Sequence, residues 1–221
     1  METSLHRELK EHYARDAGRT EVVVDRYRID AVVDDELIEI QHGPLSAIRD
    51  KVRKLLAGHR VRVVKPIIAR KLLVKRTAKG QPVRSRRRSP KRGQLLDVFD
   101  DLVYFTRVFP HRRLTLEVVL VEIEEWRYPG HGRRRYRRDA DHQVEDQKLV
   151  EIAAVHRLKT SADLRKLVPA EALPDVFHTG HLAAALQVQR YTAGRIAYCF
   201  RQVGATRQVG KQGNTLLYEF V

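Results

Sequence analysis

The chain has 221 residues, with 43 basic against 28 acidic side chains and a single cysteine. That length can bury a real core, as one domain or two modest ones. The composition excludes an intramolecular disulfide and a cysteine-based zinc site, and no apolar run approaches the roughly 18 residues of a membrane-spanning helix.

The opening METSLHRELKEHYARD is charged from the start and lacks the apolar core of a signal peptide, so a cytoplasmic protein with no membrane association is expected. The net charge of +15 points to a polyanionic partner. Its distribution says more. Residues 1–60 hold 11 basic and 12 acidic side chains, whereas residues 61–92 hold 13 basic and none acidic. Nearly the whole excess lies in that one stretch, which includes RSRRRSPKRG at 84–93. Dense Lys/Arg suits phosphate contacts, so Arg84, Arg86, Arg87, Arg88, Lys91 and Arg92 are candidate nucleic-acid ligands.

SLHRELKEHYA reads as a helix capped by Thr3 or Ser4, with Leu5, Leu9 and Tyr13 as its apolar stripe. TEVVVD is a β-branched strand. RIDAVVDDELIEIQ, residues 28–41, alternates apolar and polar residues around Asp34-Asp35 and reads as a tight hairpin. LSAIRDKVRKLLAG follows as a second helix ending at Gly58, and RVRVVKPII as a strand. The order is α-β-β-β-α-β. ARKLLVKRTAKGQPVRSRRR then reads as a basic hairpin turning at Lys79-Gly80, and Ser89-Pro90 as a helix start. LTLEVVLVEIEEW is a strong strand, and RYPGHGRRRYRR turns back as a second basic hairpin. From VEDQKLVEIAAV onward the helical period dominates. SADLRKLV, HTGHLAAAL and YTAGRIAYCFRQVG read as three helices, and ATRQVGKQGNTLLYEF as a hairpin with a Gly-rich tip.

If Asp34-Asp35 is a two-residue turn, Asp30 stands opposite Glu39 across the hairpin. Like charges facing each other there are destabilising unless something relieves them. A cation between them would do so, and oxygen-only ligands suit Mg²⁺ or Mn²⁺. A divalent ion beside a phosphodiester activates water and stabilises charge on phosphate.

This order, with Asp on the second strand and Glu-x-Gln on the third, resembles the PD-(D/E)XK nuclease superfamily, and RIDAVVDDELIEIQHGPLSAIRDK is especially similar to its CoiA-like branch. The resemblance covers about residues 5–66 and implies a restriction-endonuclease-like αβββαβ core. It implies metal ligation by Asp30 and Glu39. Gln41 stands where the superfamily has a lysine, and it can orient water but carries no charge. Lys51, about 85° from the centre of the second helix's buried face, is a candidate to supply the missing charge. Glu8, about 100° from the centre of the first helix's stripe, is the candidate for the superfamily's additional acid. His12 reads as packing, and His42 is too isolated to assign. No HExxH or HxxxH spacing supports a zinc hydrolase.

The C-terminal order of helix, helix, turn, helix and two-stranded wing is that of a winged helix-turn-helix. Ile196, Cys199, Phe200 and Val203 form the core stripe of the last helix, making Cys199 a packing residue. Arg190, Thr192, Arg195 and Arg201 flank that stripe, and Arg207 and Lys211 fall on the wing, as candidate DNA contacts.

The expected architecture is α+β: a nuclease-like domain over 1–140 and a winged helix over 141–221. The expected function is metal-dependent DNA endonuclease, acting as a homodimer where two strands are cut. The alternative is a catalytically inactive nucleic-acid-binding or regulatory protein on a degenerate nuclease fold.

Overall fold

The computed structural model describes residues 2–15, 18–130 and 141–221. Helix α1 (Ser4–Tyr13) starts at Thr3, whose hydroxyl accepts from the His6 amide. Strands β1 (Arg19–Val24), β2 (Tyr27–Val33) and β3 (Glu36–Ile40) follow as an antiparallel meander. A 3-10 turn at Leu45–Ala47 leads into α2 (Arg49–Leu55), and the chain returns as β4 (Arg60–Arg76), parallel to β3. The αβββαβ order is therefore present in the fold.

The strand expected at RVRVVKPII and the first arm of the basic hairpin are one continuous 17-residue strand. Its first half pairs β3 through residues 60–64, and its second half pairs β5 (Val83–Arg88) through residues 72–76. Strand β6 (Leu114–Pro129) covers the other edge of β4 and β7 (His142–Leu158) covers β6, so β4–β7 extend past the compact half of the molecule as an arm. The seven-stranded sheet runs β1-β2-β3-β4-β6-β7, with β5 beside β4.

Two expectations are corrected here. Helix α3 (Val98–Leu102) follows a 3-10 turn that opens at Gln94, where Asp97 closes a capping box, rather than starting at Ser89-Pro90. VEDQKLVEIAAV, residues 144–155, where a helical period is expected, lies within β7 of the main sheet, so a boundary at residue 140 would cut that sheet. The tip of the second basic hairpin, residues 131–140, lies outside the described residues.

After β7 come α4 (Ser161–Arg165), α5 (Thr179–Leu186), α6 (Arg190–Gln202) and the hairpin β8 (Thr206–Gln212)–β9 (Thr215–Phe220). Leu5 and Leu9 of α1 pack on Ala31, Ile38, Ile40 and Val64 to make one core. The larger core joins Val52 and Leu55 of α2, Phe99 of α3 and Phe200 of α6 to Val61, Val63, Leu114 and Leu116 of the sheet. Each such fully buried Leu or Phe contributes about 1.5–3 kcal/mol, so the C-terminal elements are held to the sheet by shared apolar burial.

Candidate functional site

Asp34 and Asp35 have φ of 47° and 60°, the backbone of a two-residue turn with both central residues left-handed. The register follows from it: Val33 pairs Glu36, Val32 pairs Leu37 and Ala31 pairs Ile38. Asp30 and Glu39 are the next couple in this register, where the backbone ladder ends. In place of a ladder bond, Asp30 Oδ2 accepts from the Ile40 amide at 2.8 Å.

Each of the two carboxylates meets a basic side chain from a different helix. His6 of α1 places Nε2 3.2 Å from Asp30 Oδ1. Burial works against the Asp30 charge, but the His6 contact and the Ile40 N–H hold its carboxyl below the ordinary range. Lys51 of α2 places Nζ 2.5 Å from Glu39 Oε1 and donates to the Arg28 carbonyl at 2.6 Å. Glu39 is 5% exposed, and its Oε1 has no aligned hydrogen-bond donor among the described residues. Burial, opposed by Lys51 and reinforced by the Asp30 charge, pushes Glu39 up to about 7.

Four further residues complete the site, and the sequence had not assigned them. Thr20 pairs Ala31 and Val22 pairs Ile29, so Glu21 stands opposite Asp30 on the β1 side. Glu21, Asp30 and Glu39 thus share one backbone row across three strands, and of these Glu21 and Asp30 line the cleft at this site. Glu21 has a left-handed φ of 57° and is bonded by Lys10 and Arg28. Lys10 is buried at 6% exposure. His42 sits with its ring centroid 5.5 Å from that of His6. Its burial, with His6 and Lys65 nearby, pushes it down to about 4. Lys65 fixes the loop after β3 by donating to the His42 and Gly43 carbonyls at 3.1 and 2.8 Å while paired with Asp101 at 2.7 Å. A cleft of about 430 Å³ opens among Glu2, His6, Lys10, Arg28, Asp30 and His42.

Asp30, Glu39 and Lys51 therefore come together. Glu8 does not join them: its Oε2 accepts from the Leu149 amide of β7 at 2.6 Å. Gln41 donates its amide to the Pro44 carbonyl at 3.1 Å, bracing the turn after β3. No three His, Cys, Asp or Glu among the described residues are arranged to hold a metal ion. The two carboxylates Asp30 and Glu39 still suit an ion such as Mg²⁺, which keeps several waters and commonly takes only one or two carboxylates; Lys51, now on Glu39 Oε1, would share that oxygen with the ion or give it up.

Arg84, Arg86, Arg87 and Arg88 are exposed on β5, and Lys91 and Arg92 are exposed in the loop beyond it. Arg86 reaches Glu124 at 3.3 Å. In the C-terminal elements Arg190, Arg201 and Lys211 are exposed and Thr192 is half-buried. Arg195 is tied to Asp100 of α3 at 2.5 Å, and Arg207 is paired with Glu219 across the β8–β9 hairpin. Cys199 is fully buried, and burial pushes its thiol up to about 12.

These features define an α+β protein whose mixed sheet carries a cleft of carboxylates matched to cations. The chain belongs to the family described as Domain of unknown function (DUF8091), matched over residues 3–159, which ends at the close of β7. It is also similar to an "Uncharacterized protein" of Treponema pallidum (strain Nichols), 28% identical over 222 residues that cover 98% of this chain and 84% of the relative. No solved structure matches the chain. No helix among the described residues is long and apolar enough to cross a membrane.

Proposed function

We propose that this chain is a metal-dependent DNA endonuclease with a PD-(D/E)XK-like core and a C-terminal winged helix. The observation that carries the reading is the meeting of Asp30, Glu39 and Lys51 at the end of the hairpin ladder. Asp30 and Glu39 would hold Mg²⁺ or Mn²⁺, and the ion would activate water and offset charge on the scissile phosphate. His6 fixes the Asp30 carboxylate. Lys51 supplies the positive charge that Gln41 lacks. The reaction is hydrolysis: water oxygen bonds to phosphorus and one ester oxygen leaves. The exposed arginines of β5 and the last helix would contact DNA, and cutting both strands would call for a homodimer. A cytoplasmic location accords with this reading.

A second reading has its own support. Lys51 already neutralises Glu39, as an inactive nucleic-acid-binding descendant of such a fold would require. Calorimetric titration of Mn²⁺ into the parent and Asp30→Asn separates the two. The nuclease reading requires saturable binding that the mutant loses. No binding by the parent, with DNA present, leaves the non-catalytic reading in its place.

A further inference from the structure

The arm carries a second cleft, of about 690 Å³, between the turn-side ends of β4, β5 and β6. Lys75, Arg76, Arg84, Arg87 and Arg127 line it, with Tyr128 and, among the described residues, a single carboxylate, Asp141. The sheet register brings these cations together, since Lys75 pairs Ser85 on one side and Arg127 on the other. Two of them have some acidic company: Arg76 meets Glu145 at 3.1 Å and Arg127 meets Glu125 at 2.7 Å. Even so, the Nε donors of both guanidiniums are buried without an acceptor among the described residues. An unmet buried donor costs about 1–3 kcal/mol and is uncommon enough in native proteins to need a reason. Lys75, Arg84 and Arg87 are exposed beside them. Set against Glu145, Glu125 and Asp141, the five cations still leave the concave surface with an excess of positive charge, which favours an anion there.

We infer that this cleft binds the phosphodiester backbone of a nucleic acid through Lys75, Arg76, Arg84, Arg87 and Arg127. The inference rests on nucleic acid being the partner but not on catalysis. It anchors the strand on the arm, apart from Asp30 and Glu39. A chain of phosphates matches the site better than one small anion, because the cations are spread along three strands rather than focused on a point. Arginine forks and the Tyr128 ring suit phosphate oxygens and sugar or base edges respectively.

Trp126 is the chain's one tryptophan and a built-in reporter. The Arg76 guanidinium carbon lies 4.5 Å from the Trp126 ring centroid, and the Lys148 ammonium 5.0 Å. An anion that draws Arg76 will change Trp126 emission. The test titrates the full chain with a labelled DNA oligonucleotide, reading anisotropy for affinity and Trp126 emission for location. The double variant Arg84→Gln/Arg87→Gln alters only exposed side chains, and an unchanged Tm verifies its fold. The expected result is a saturable emission change in the parent, an affinity loss of about tenfold or more in the double variant with a shallower salt dependence, and parent-like binding in Asp30→Asn. Inorganic tripolyphosphate provides the second arm, and it should bind far more weakly than the oligonucleotide. Tripolyphosphate binding as tight as DNA would overturn the nucleic-acid assignment. Oligonucleotide binding equal in parent and double variant, or with Trp126 emission unmoved, would overturn the site. Failure of Mn²⁺ binding would sink the nuclease reading and leave these outcomes untouched.

Discussion

Lys51 Nζ lies 2.5 Å from Glu39 Oε1, so a cation from α2 rests on the carboxylate that β3 sets opposite Asp30. The contact is largely shielded: the Lys51 and Glu39 side chains are 20% and 7% exposed. Breaking a shielded pair leaves a charge without compensation. Under the proposed nuclease reading it also removes the positive charge offered to a phosphate.

Lys51→Met is therefore expected to lower the cleavage rate by roughly 10²–10³-fold, the scale of losing one well-placed electrostatic contact. Mn²⁺ binding should persist at a pH high enough to ionise Glu39 in both proteins. Single-turnover cleavage beside calorimetry checks this. A variant that cuts like the parent would remove Lys51 from the chemistry.

Glu39 and His42 make opposite contributions to stability against pH. Glu39 is raised from 4.5 to about 7, so between those values the folded state holds a proton that the unfolded state has released. Stability falls there as pH rises. His42 is lowered from 6.5 to about 4, so over that span the unfolded state holds the extra proton and stability rises with pH. Each effect is worth roughly 3 kcal/mol, and the two cancel between pH 4.5 and 6.5. Asp30, Glu125 and Asp146 are held low, and their contributions are lost only as pH falls below the ordinary carboxylate range. Denaturant midpoints of the parent should thus be nearly flat across the window. His42→Asn should lose stability as pH rises, and Glu39→Gln should gain it. Parallel profiles for all three would show that the two groups are not buried in these states.

The first helix shows how far sequence reasoning reached. Leu5, Leu9 and Tyr13 fix which face of α1 is buried, but an angle from that stripe does not say which flank meets which strand. Glu8 sits about 100° to one side and faces β7, whereas His6 and Lys10, about 60° and 100° to the other, face the cleft. The orientation of the helix over the sheet decides this, and it is a tertiary fact. Strand β7 was hidden for a local reason. Bulges shift its register, so Ile123 pairs Leu149 while Val121 pairs Ile152. Inward residues then fall three apart instead of two, which imitates a helix. The hairpin was legible because its turn is local: Asp34-Asp35 sets the register that pairs Asp30 with Glu39. Glu21 was not, because only the β1–β2 pairing brings it into the row.

The two flanks of α1 are separable by mutation. Glu8→Ala leaves the Leu149 amide without its acceptor and should cost about 1–3 kcal/mol, with Mn²⁺ affinity unchanged. His6→Ala removes the group that orients Asp30 and should weaken Mn²⁺ binding more than it lowers Tm. Calorimetry and thermal melts on both variants decide the matter. A loss of Mn²⁺ affinity in Glu8→Ala would return that residue to the site.

The C-terminal elements should not unfold on their own. Phe200 of α6 meets Phe99 of α3 with ring centroids 5.9 Å apart, and both belong to the core that reaches β4 and β6. Arg195 adds its pair with Asp100 across the same junction. Two native probes report on the two sides. Trp126 lies in β6, and Cys199 lies in α6 with its thiol buried and pushed up to about 12, hence unreactive while folded. Phe200→Ala should cost about 3–5 kcal/mol. Because the core is continuous, it should move the denaturation midpoint of Trp126 emission and that of Cys199 reactivity by the same amount. If Cys199 becomes reactive at a denaturant concentration where Trp126 emission is still native, the last three helices and their hairpin form an independent unit, and a nucleic acid held by the arm could be gripped by a second body free to move against it.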